Sequence, residues 1–245
     1  MKFSIIIPTF NAGKRLIKTI DSIIAQNYKD YEIIVQDGWS TDDTQCILQN
    51  YESRFSFFRY YIAKDTGVYD AMNRATQKAK GLFCIYLGAG DYLHDEKVLE
   101  DLNKAITEQK NVDIFYGYVI ETDDGKYKTL IRKINWKYKV RFAPVCHQAI
   151  CAKRELLNDH PFDTQYKIAA DQDWLLKMLK MNKTYLFINR AIAYYPLDGV
   201  SSNSNDLFIE EQKQIHKTYY PIWQLIRQTW RVVVGKENNN RKRKD

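Results

Sequence analysis

The sequence has few of the residues that mark metal-binding and disulfide-rich proteins. Its 245 residues include 4 cysteines and 4 histidines, and no two cysteines form a C-x-x-C pair. Scattered histidines and unpaired cysteines argue against a zinc site, so we expect reduced, buried thiols, as in a cytoplasmic protein. No stretch approaches the roughly 18 uninterrupted apolar residues of a membrane-spanning helix.

Two glycine-rich phosphate-binding motifs are also absent. A dinucleotide-binding dehydrogenase would carry G-x-G-x-x-G after its first strand, where this chain has PTFNAG at residues 8–13. The P-loop pattern G-x-x-x-x-G-K-[ST] is missing as well. The N-terminal apolar run at 5–7 ends at Pro8. It is too short for the roughly 7 to 15 residue core of a signal peptide, so we expect no export signal.

Positive charge is unevenly distributed. The net charge is +7, and a large share of the excess lies near the C-terminus, including the run RKRKD at 241–245. These basic residues are not interleaved with stacking aromatic residues in a recognisable module, so nucleic-acid binding is disfavoured. With 45% hydrophobic residues the chain can bury a large core. We expect one soluble domain followed by a basic appendage.

Strand and helix patterns alternate through the first half of the chain. Apolar runs predict strands at 2–7, 31–36, 55–63 and 81–90, and apolar residues at helical spacing predict helices at 13–26, 41–51 and 67–80. The alternation is typical of an α/β fold with a mostly parallel, Rossmann-type sheet flanked by helices.

The second half is less regular. Its patterns predict a helix at 96–106, a hairpin turning at 123–125, a short strand at 147–152, a helix opening at Asp171, and mostly helix over 208–234.

Polar residues follow each of the first four predicted strands. Open α/β sheets bind ligands at the carboxyl ends of their strands, so these residues should share one edge. They are Thr9, Asn11, Asp37, Asp65, Gly67 and Asp91.

Six ordered segments resemble the family 2 glycosyltransferases, which have the GT-A fold and use nucleotide-diphospho-sugars. They are SIIIPTFNAGKRLIKTIDSIIAQNY, EIIVQDGWSTDDT, KDTGVYDAMNRATQKAKG, IYLGAGDYL, HQAI and DQDW. The resemblance is continuous over about residues 3–95 and patchy to about 205.

The resemblance implies a nucleotide-binding half at 1–95. Asp37 would accept a hydrogen bond from a uracil-like base, Gly38 would let the backbone approach the ring, and Ser40 or Thr41 would cap the next helix. Asp65 has two interpretations, a phosphate-site residue at a helix N-terminus or a simple helix cap. Thr9, likewise, is either a base or ribose contact or only a turn residue. The implied nucleotide-binding residues are Pro8, Thr9, Asn11, Asp37, Gly38, Asp65 and Gly67.

The resemblance also implies a divalent metal, Mn²⁺ or Mg²⁺, held by Asp91 and the diphosphate of the substrate. The family pattern has a pair of aspartates or D-x-D, whereas this chain has GAGD, with Gly90 where a first aspartate often stands. Metal dependence is therefore an expectation that this departure puts in doubt. His94 or Asp95 is a candidate assistant.

An acceptor-binding half at 96–206 is implied next. Asp173 would be the base that takes the proton of the acceptor hydroxyl, and a single displacement would invert the anomeric centre. Both acidic residues in DQDW could instead merely favour the helix dipole. The implied substrate-binding residues are Asp70, Asn73, His147 and Asp171, with the loop at 198–204. Asp70 and Asn73 could also only fix their loop, and His147 could be structural.

Residues 207–245 form the predicted helical, basic tail. Apolar residues from Ile222 to Val234 follow helical spacing beside arginines, which is typical of a helix on an anionic membrane surface. The alternative is a helix packed on its own domain with a solvated charged end.

Together these features predict an inverting glycosyltransferase that moves a sugar from a UDP-sugar to a hydroxyl of a lipid-linked glycan acceptor. The reaction would belong to bacterial surface polysaccharide synthesis. Such an enzyme would be cytoplasmic, and peripheral on the inner face of the membrane. One rival is a nucleotide-sugar pyrophosphorylase, whose glycine-rich signature is absent. The other is a nucleotide-sugar-binding pseudoenzyme, motivated by Gly90.

Overall fold

The computed structural model describes residues 1–123, 125–130, 145–197 and 205–219. The strands are β1 (Phe3–Thr9), β2 (Tyr31–Asp37), β3 (Phe58–Ile62), β4 (Phe83–Tyr86), β5 (Tyr92–Leu93), β6 (Ile114–Asp123), β7 (Lys126–Leu130), β8 (Ile150–Lys153) and β9 (Tyr185–Pro196). The helices are α1 (Lys14–Ile24), α2 (Thr44–Arg54), α3 (Val68–Lys78), α4 (Val98–Glu108), α5 (Arg154–Asp159), α6 (Ala170–Lys180) and α7 (Asn205–Tyr219).

These strands form one sheet in the order β3-β2-β1-β4-β8-β6-β9-β5, with β7 paired to β6. The first four strands in that order are parallel, and β1 and β2 are aligned so that Thr9 faces Asp37. The predicted α/β class and the parallel first half are confirmed. The carboxyl ends of β1 and β2 therefore carry their polar residues to one edge.

The second half of the sheet is mixed. Strand β8 runs antiparallel to β4 and β6, β5 runs antiparallel to β9, and β6 and β9 are parallel. The predicted hairpin is confirmed, because β6 and β7 pair from Asp123 and Lys126 outward. Strand β9, which no pattern predicted, lies between β6 and β5.

The core lies between the sheet and its helices. Every residue of β1 and β2 is buried, which explains their continuous apolar runs. On α1, Leu16, Ile20 and Ile23 recur at helical spacing and are fully buried. Each such side chain contributes about 1.5 to 3 kcal/mol relative to exposure. This packing fixes the start of α1, and so the loop that precedes it.

Three local predictions need correction. Helix α2 begins at Thr44, not near Thr41, because the Asp42 carboxylate accepts the Thr44 amide at 3.1 Å and the chain turns there. The segment at 147–152 begins as a 3-10 turn, His147–Ala149, before β8. Cys46 is exposed and Cys146 is half-buried, whereas Cys84 and Cys151 are buried as expected.

Two predicted features lie outside the described residues. They are the loop at 198–204 and the amphipathic helix beyond Pro221. Helix α7, at the start of the predicted tail, is described. Among the helices of the described ranges, none combines the length and hydrophobicity that a membrane crossing requires.

Candidate functional site

Two loops meet at the carboxyl ends of β1 and β2 and form what we call the strand-end cradle, residues 9–13 and 37–44. Thr9 O accepts the Gly38 amide at 2.9 Å, and Ser40 Oγ accepts the Asn11 amide at 2.8 Å. The Asn11 side chain in turn accepts the Thr41 amide at 2.9 Å. Side chains thus satisfy backbone groups across the two loops, which makes the cradle rigid.

Asp37 is fully buried at the centre of the cradle. Its carboxylate accepts hydrogen bonds from the Ser40 amide, at 3.0 Å, and from the Ser40 hydroxyl. Ser40 therefore fixes Asp37. The prediction that Ser40 caps α2 is wrong, because no side chain caps this helix. The role of Asp37 in binding uracil stays a prediction. The structure shows that its carboxylate is held in one position by Ser40.

Thr9 is paired with Asp37 in the sheet register, and the residue is 5% exposed. Its Oγ1 is one of the buried side-chain atoms that lack a hydrogen-bond partner within the described residues. A buried hydroxyl without a partner costs about 1 to 3 kcal/mol. Thr9 Oγ1 is therefore a buried polar atom whose hydrogen-bonding capacity the described residues do not use.

Two large aromatic side chains border the cradle. Phe10 is 62% exposed and Trp39 is 61% exposed. Trp39 also has a φ of 74°, in the left-handed region that non-glycine residues rarely adopt. A Cβ on Gly38 would lie 2.7 Å from Asp65 Oδ2 and 3.4 Å from Phe10, so the glycine leaves room for the Asp65 carboxylate in its present position.

Asp65 reaches the cradle from the loop before α3. Its carboxylate accepts the Gly67 amide at 3.0 Å, and burial raises its pKa. Burial also acts to raise the pKa of Asp70, but hydrogen bonds from Thr66 and Arg74 outweigh it and lower that pKa. The loop therefore fixes Asp70, whereas Gly67 opens the N-terminus of α3 with no side-chain cap.

Asp91 lies at the end of the β4 segment and is 6% exposed. Its Oδ2 accepts the Gly88 amide at 2.7 Å and the Gln148 side-chain amide at 2.9 Å. Burial raises the pKa of Asp91, and the nearby His147 side chain, the hydrogen bonds from Gln148 and Gly88, and the Arg15 charge oppose this rise. Asp91 is therefore a carboxylate held in place by hydrogen bonds, with basic side chains nearby.

The donor set around Asp91 decides which metal would fit. The described ranges contain no group of three or more His, Cys, Asp or Glu residues able to hold a metal ion. At Gly90, an added Cβ would lie 3.0 Å from the Arg15 guanidinium. The residues fit Mg²⁺ or Mn²⁺ only as an ion held by Asp91 together with substrate phosphates.

A second group, which we call the Asp171 cluster, comprises Tyr69, His147 and Asp171. His147 Nδ1 lies 3.2 Å from Asp171 Oδ2, and the Tyr69 hydroxyl lies 3.1 Å from Asp171 Oδ1. The 3-10 turn links this cluster to the β4 end, because Gln148 contacts Asp91 while His147 contacts Asp171. Two successive residues of the turn thus bond Asp91 and Asp171, which are 80 positions apart in the sequence.

Asp173 has different neighbours. Burial raises its pKa, a hydrogen bond from Tyr219 of α7 lowers it, and the charge of Asp163 raises it further. Asp171, in contrast, contacts His147 of the 3-10 turn. The two aspartates of DQDW therefore have separate environments, and Asp171 is linked to the Asp91 side of the sheet.

Several implied residues have structural partners. Asn73 donates to Phe162 O at 2.9 Å and accepts the Phe162 amide at 3.0 Å, so it joins α3 to the chain before α6. Asp95 pairs with Arg190 and contacts His94. This pairing holds β9 against β5. It does not support the prediction that His94 or Asp95 assists in binding a metal.

The sequence did not predict the roles of two residues. Gln148 holds the Asp91 side chain, and Glu211 holds the segment before α6. Gln148 was quoted in HQAI without a role, and its pairing with Asp91 had only that motif as a signal. Glu211 of α7 accepts three backbone amides before α6, and nothing in its local sequence distinguishes it.

Comparisons with known proteins place this site in context. The family model described as "Glycosyl transferase family 2" matches residues 4–160. A "PGL/p-HBAD biosynthesis glycosyltransferase" of Mycobacterium bovis (strain BCG / Pasteur 1173P2) is 34% identical over 186 residues, 71% of this chain and 68% of that protein. The "Poly(ribitol-phosphate) beta-N-acetylglucosaminyltransferase TarP" of Staphylococcus aureus (strain N315) is 29% identical over 226 residues, 86% of this chain and 67% of that protein.

Solved structures show the same fold. The crystal structure of S. aureus TarS 1-349 in complex with UDP superposes with a TM-score of 0.69 at 22% sequence identity. The match covers 88% of this chain and 64% of the TarS chain, so this chain spans less than two thirds of that relative.

Proposed function

The chain belongs to glycosyl transferase family 2 and is a glycosyltransferase, and from this premise we propose that it moves a sugar from a UDP-sugar to a hydroxyl of a glycan acceptor. The observation that carries the UDP assignment is the buried Thr9 hydroxyl, which has no hydrogen-bond partner among the described residues, on the residue paired in the sheet with Asp37, whose carboxylate Ser40 fixes. A uracil base presents both an N–H donor and carbonyl acceptors. Asp37 accepts from that donor, and Thr9 donates to the base or ribose.

The remaining cradle residues shape the nucleotide site. Pro8 lies in β1 opposite Gln36, and Asn11 fixes the loop that follows this strand. Gly38 admits the close approach of Asp65 and the ring. The Gly67 amide donates to Asp65, and the amides of α3 that follow it favour a phosphate. This assignment keeps the predicted nucleotide-binding residues together at one edge of the sheet.

Asp91 would hold Mg²⁺ or Mn²⁺ together with the diphosphate. When bound, the metal stabilises the negative charge of the leaving diphosphate. The chain supplies positive charge there as well, because Arg15 lies beside Gly90. Gln148 and the Gly88 amide hold Asp91 in place for this role.

The base abstracts the proton of the acceptor hydroxyl. The hydroxyl oxygen attacks the anomeric carbon of the donor sugar as the bond from that carbon to the diphosphate breaks, and the configuration at the anomeric carbon is inverted. The sequence favoured Asp173 for this step. We assign it instead to Asp171, because His147 joins Asp171 to the turn that contacts Asp91, whereas Asp173 contacts Tyr219. In this assignment His147 orients the base at the acceptor side.

The acceptor class rests on the relatives. The names of the TarP and mycobacterial proteins point to bacterial glycan synthesis, and we propose a surface polysaccharide or lipid-linked saccharide as the acceptor. A lipid-linked acceptor suits a cytoplasmic enzyme on the inner face of the membrane, where the basic tail would contact anionic lipids.

The test of function is UDP release from a panel of UDP-sugars, with Mn²⁺, Mg²⁺ or EDTA and with lipid-linked acceptors. The wild type, Asp91→Ala, Asp171→Asn and Asp173→Asn are compared, with Asp159→Asn on α5 as a control outside the site. We expect release by the wild type and control and loss in Asp91→Ala and Asp171→Asn. UDP binding without release by any donor and acceptor pair would favour the pseudoenzyme, for which Gly90 is the motive.

The tail is tested separately with vesicles of anionic phospholipid. The full chain should sediment with them, and a chain truncated after Tyr219 should not. Equal sedimentation of the two chains would contradict the membrane role of residues 220–245.

A further inference from the structure

Helix α6 carries both aspartates of DQDW, and its N-cap position supplies no capping side chain. Its N-cap residue is Ala169, whose side chain cannot accept a hydrogen bond. The first amides of a helix need acceptors from elsewhere, because no preceding turn supplies them. Asp171 Oδ1 accepts one amide of the first turn, that of Gln172, at 2.9 Å. The amides of residues 167–169, which lead into α6, have their partner in another part of the fold.

Glu211 of α7 supplies that partner. Its Oε1 accepts the Lys167 amide at 2.6 Å, and its Oε2 accepts the Ile168 and Ala169 amides at 3.0 Å and 2.9 Å. Glu211 is 5% exposed, while the neighbouring Glu210 is exposed to solvent. A carboxylate is buried only when its oxygens are well bonded, and these three amides meet that requirement.

Further contacts bind α7 along the same helix. Gln212 donates to the Gln172 side chain at 3.1 Å, and Tyr219 hydrogen-bonds Asp173. Ile215 is 1% exposed and belongs to the main hydrophobic core. Helix α7 is thus packed into the domain, although the sequence places its residues 207–219 in the tail.

The segment that Glu211 holds also holds Asp171. The Tyr69 hydroxyl lies 2.7 Å from the Ile168 carbonyl oxygen and 3.1 Å from Asp171 Oδ1. The amide of the same Ile168 donates to Glu211. A continuous series of contacts therefore runs from Glu211 through Ile168 and Tyr69 to Asp171, and on to His147.

We propose that Glu211 is a positioning residue for Asp171, and that α7 is part of the catalytic unit. This inference rests on the proposed function, in which Asp171 is the base. Loss of the cap lets the 167–169 segment move and displaces Tyr69 and Asp171, while the strand-end cradle, which Glu211 does not contact, keeps its shape. Glu211 then affects the chemical step and not nucleotide binding.

The test compares Glu211→Leu, Glu211→Gln and the control Glu210→Gln with the wild type. Steady-state UDP release gives kcat and KM, and calorimetry gives the Kd for UDP. A displacement of about 1 Å can cost about 100-fold in rate, so we expect Glu211→Leu to lose 10- to 100-fold in kcat, in round figures. The Kd for UDP should stay within about twofold, since the contacts of α7 described above go to residues 167–173 and not to the cradle.

Glu211→Gln keeps one acceptor oxygen and should recover part of the lost kcat, whereas Glu210→Gln should match the wild type. Hydrogen exchange of the 167–169 amides should rise in Glu211→Leu and rise less in Glu211→Gln. An unchanged kcat in Glu211→Leu would overturn the inference, as would a parallel loss of UDP binding in both Glu211 variants. A wild type that releases no UDP would instead overturn the proposed function, with the hydrogen exchange still reporting the cap.

Discussion

The strand-end cradle and the Asp171 cluster lie in one domain but are built in different ways. In the cradle, bonded partners such as Asn11 and Ser40 are 29 positions apart and follow neighbouring parallel strands. In the cluster, Tyr69 and Asp171 are 102 positions apart and come from helices on unrelated segments. A strand-loop-helix unit thus organises the first region, and long-range packing assembles the second.

The partners of the acidic residues differ in the same way. Asp37 is fixed by Ser40, three residues later, within its own loop. Asp171 depends on His147, 24 positions away, and through Ile168 on Glu211, beyond β9. Substitutions in the cradle should therefore affect nucleotide binding, and substitutions around Asp171 should affect turnover.

The largest expected effect separates the two aspartates of α6. Asp171→Asn should lower kcat by about 10²- to 10⁴-fold, the range for loss of a general base, with the Kd for UDP unchanged. Asp173→Asn should lower it far less, because its neighbour is Tyr219. Steady-state kinetics with calorimetry measures both quantities, and a larger loss in Asp173→Asn would restore Asp173 as the base.

The next effect falls on the cradle. Thr9→Val removes the buried hydroxyl at nearly constant shape, so the apo protein should keep or gain stability, since that hydroxyl has no partner there. UDP binding should weaken by about 1 to 2 kcal/mol, the scale of one lost hydrogen bond. Calorimetry with UDP and denaturant unfolding measure the pair. Unchanged affinity would remove Thr9 from the nucleotide site.

A third effect tests whether Asn73 is structural. Asn73→Ala removes both hydrogen bonds to Phe162 and should cost about 1 to 3 kcal/mol of unfolding free energy, since a buried polar backbone group loses its partner. Urea unfolding measures this cost, with Asn50→Ala on the exposed face of α2 as the control. Loss of UDP affinity without loss of stability would return Asn73 to the substrate-binding set.

The smallest effect concerns Trp39. Trp39→Gly removes the cost of a left-handed φ and should stabilise the fold by about 1 kcal/mol, because glycine adopts this conformation freely. If the indole contacts the nucleotide, the same change weakens UDP binding while it raises the unfolding midpoint. Thermal unfolding and UDP titration of the two proteins compare these effects, and a lower midpoint would show that Trp39 is not strained.

Prediction from sequence succeeded where local pattern and topology agree. The buried runs of β1 and β2 required parallel strands, and parallel strands bring Thr9 and Asp37 to one edge. It failed at α2, because the side chains of Ser40 and Asp42 bond within the turn and delay the helix. It also missed β9, whose pairing with both β6 and β5 depends on strands far away in the sequence.

The sequence by itself determined three properties of this protein. They are the α/β class, the sheet edge at which the polar residues gather, and the family. Periodicity and ordered motifs carry that information because they reflect burial of neighbouring residues. Only the tertiary structure decided which aspartate of DQDW faces His147, that Gln148 holds Asp91, and that α7 caps α6 through Glu211. The physical reason is that each of these contacts joins groups from distant segments, whose approach is fixed by packing and has no local signature.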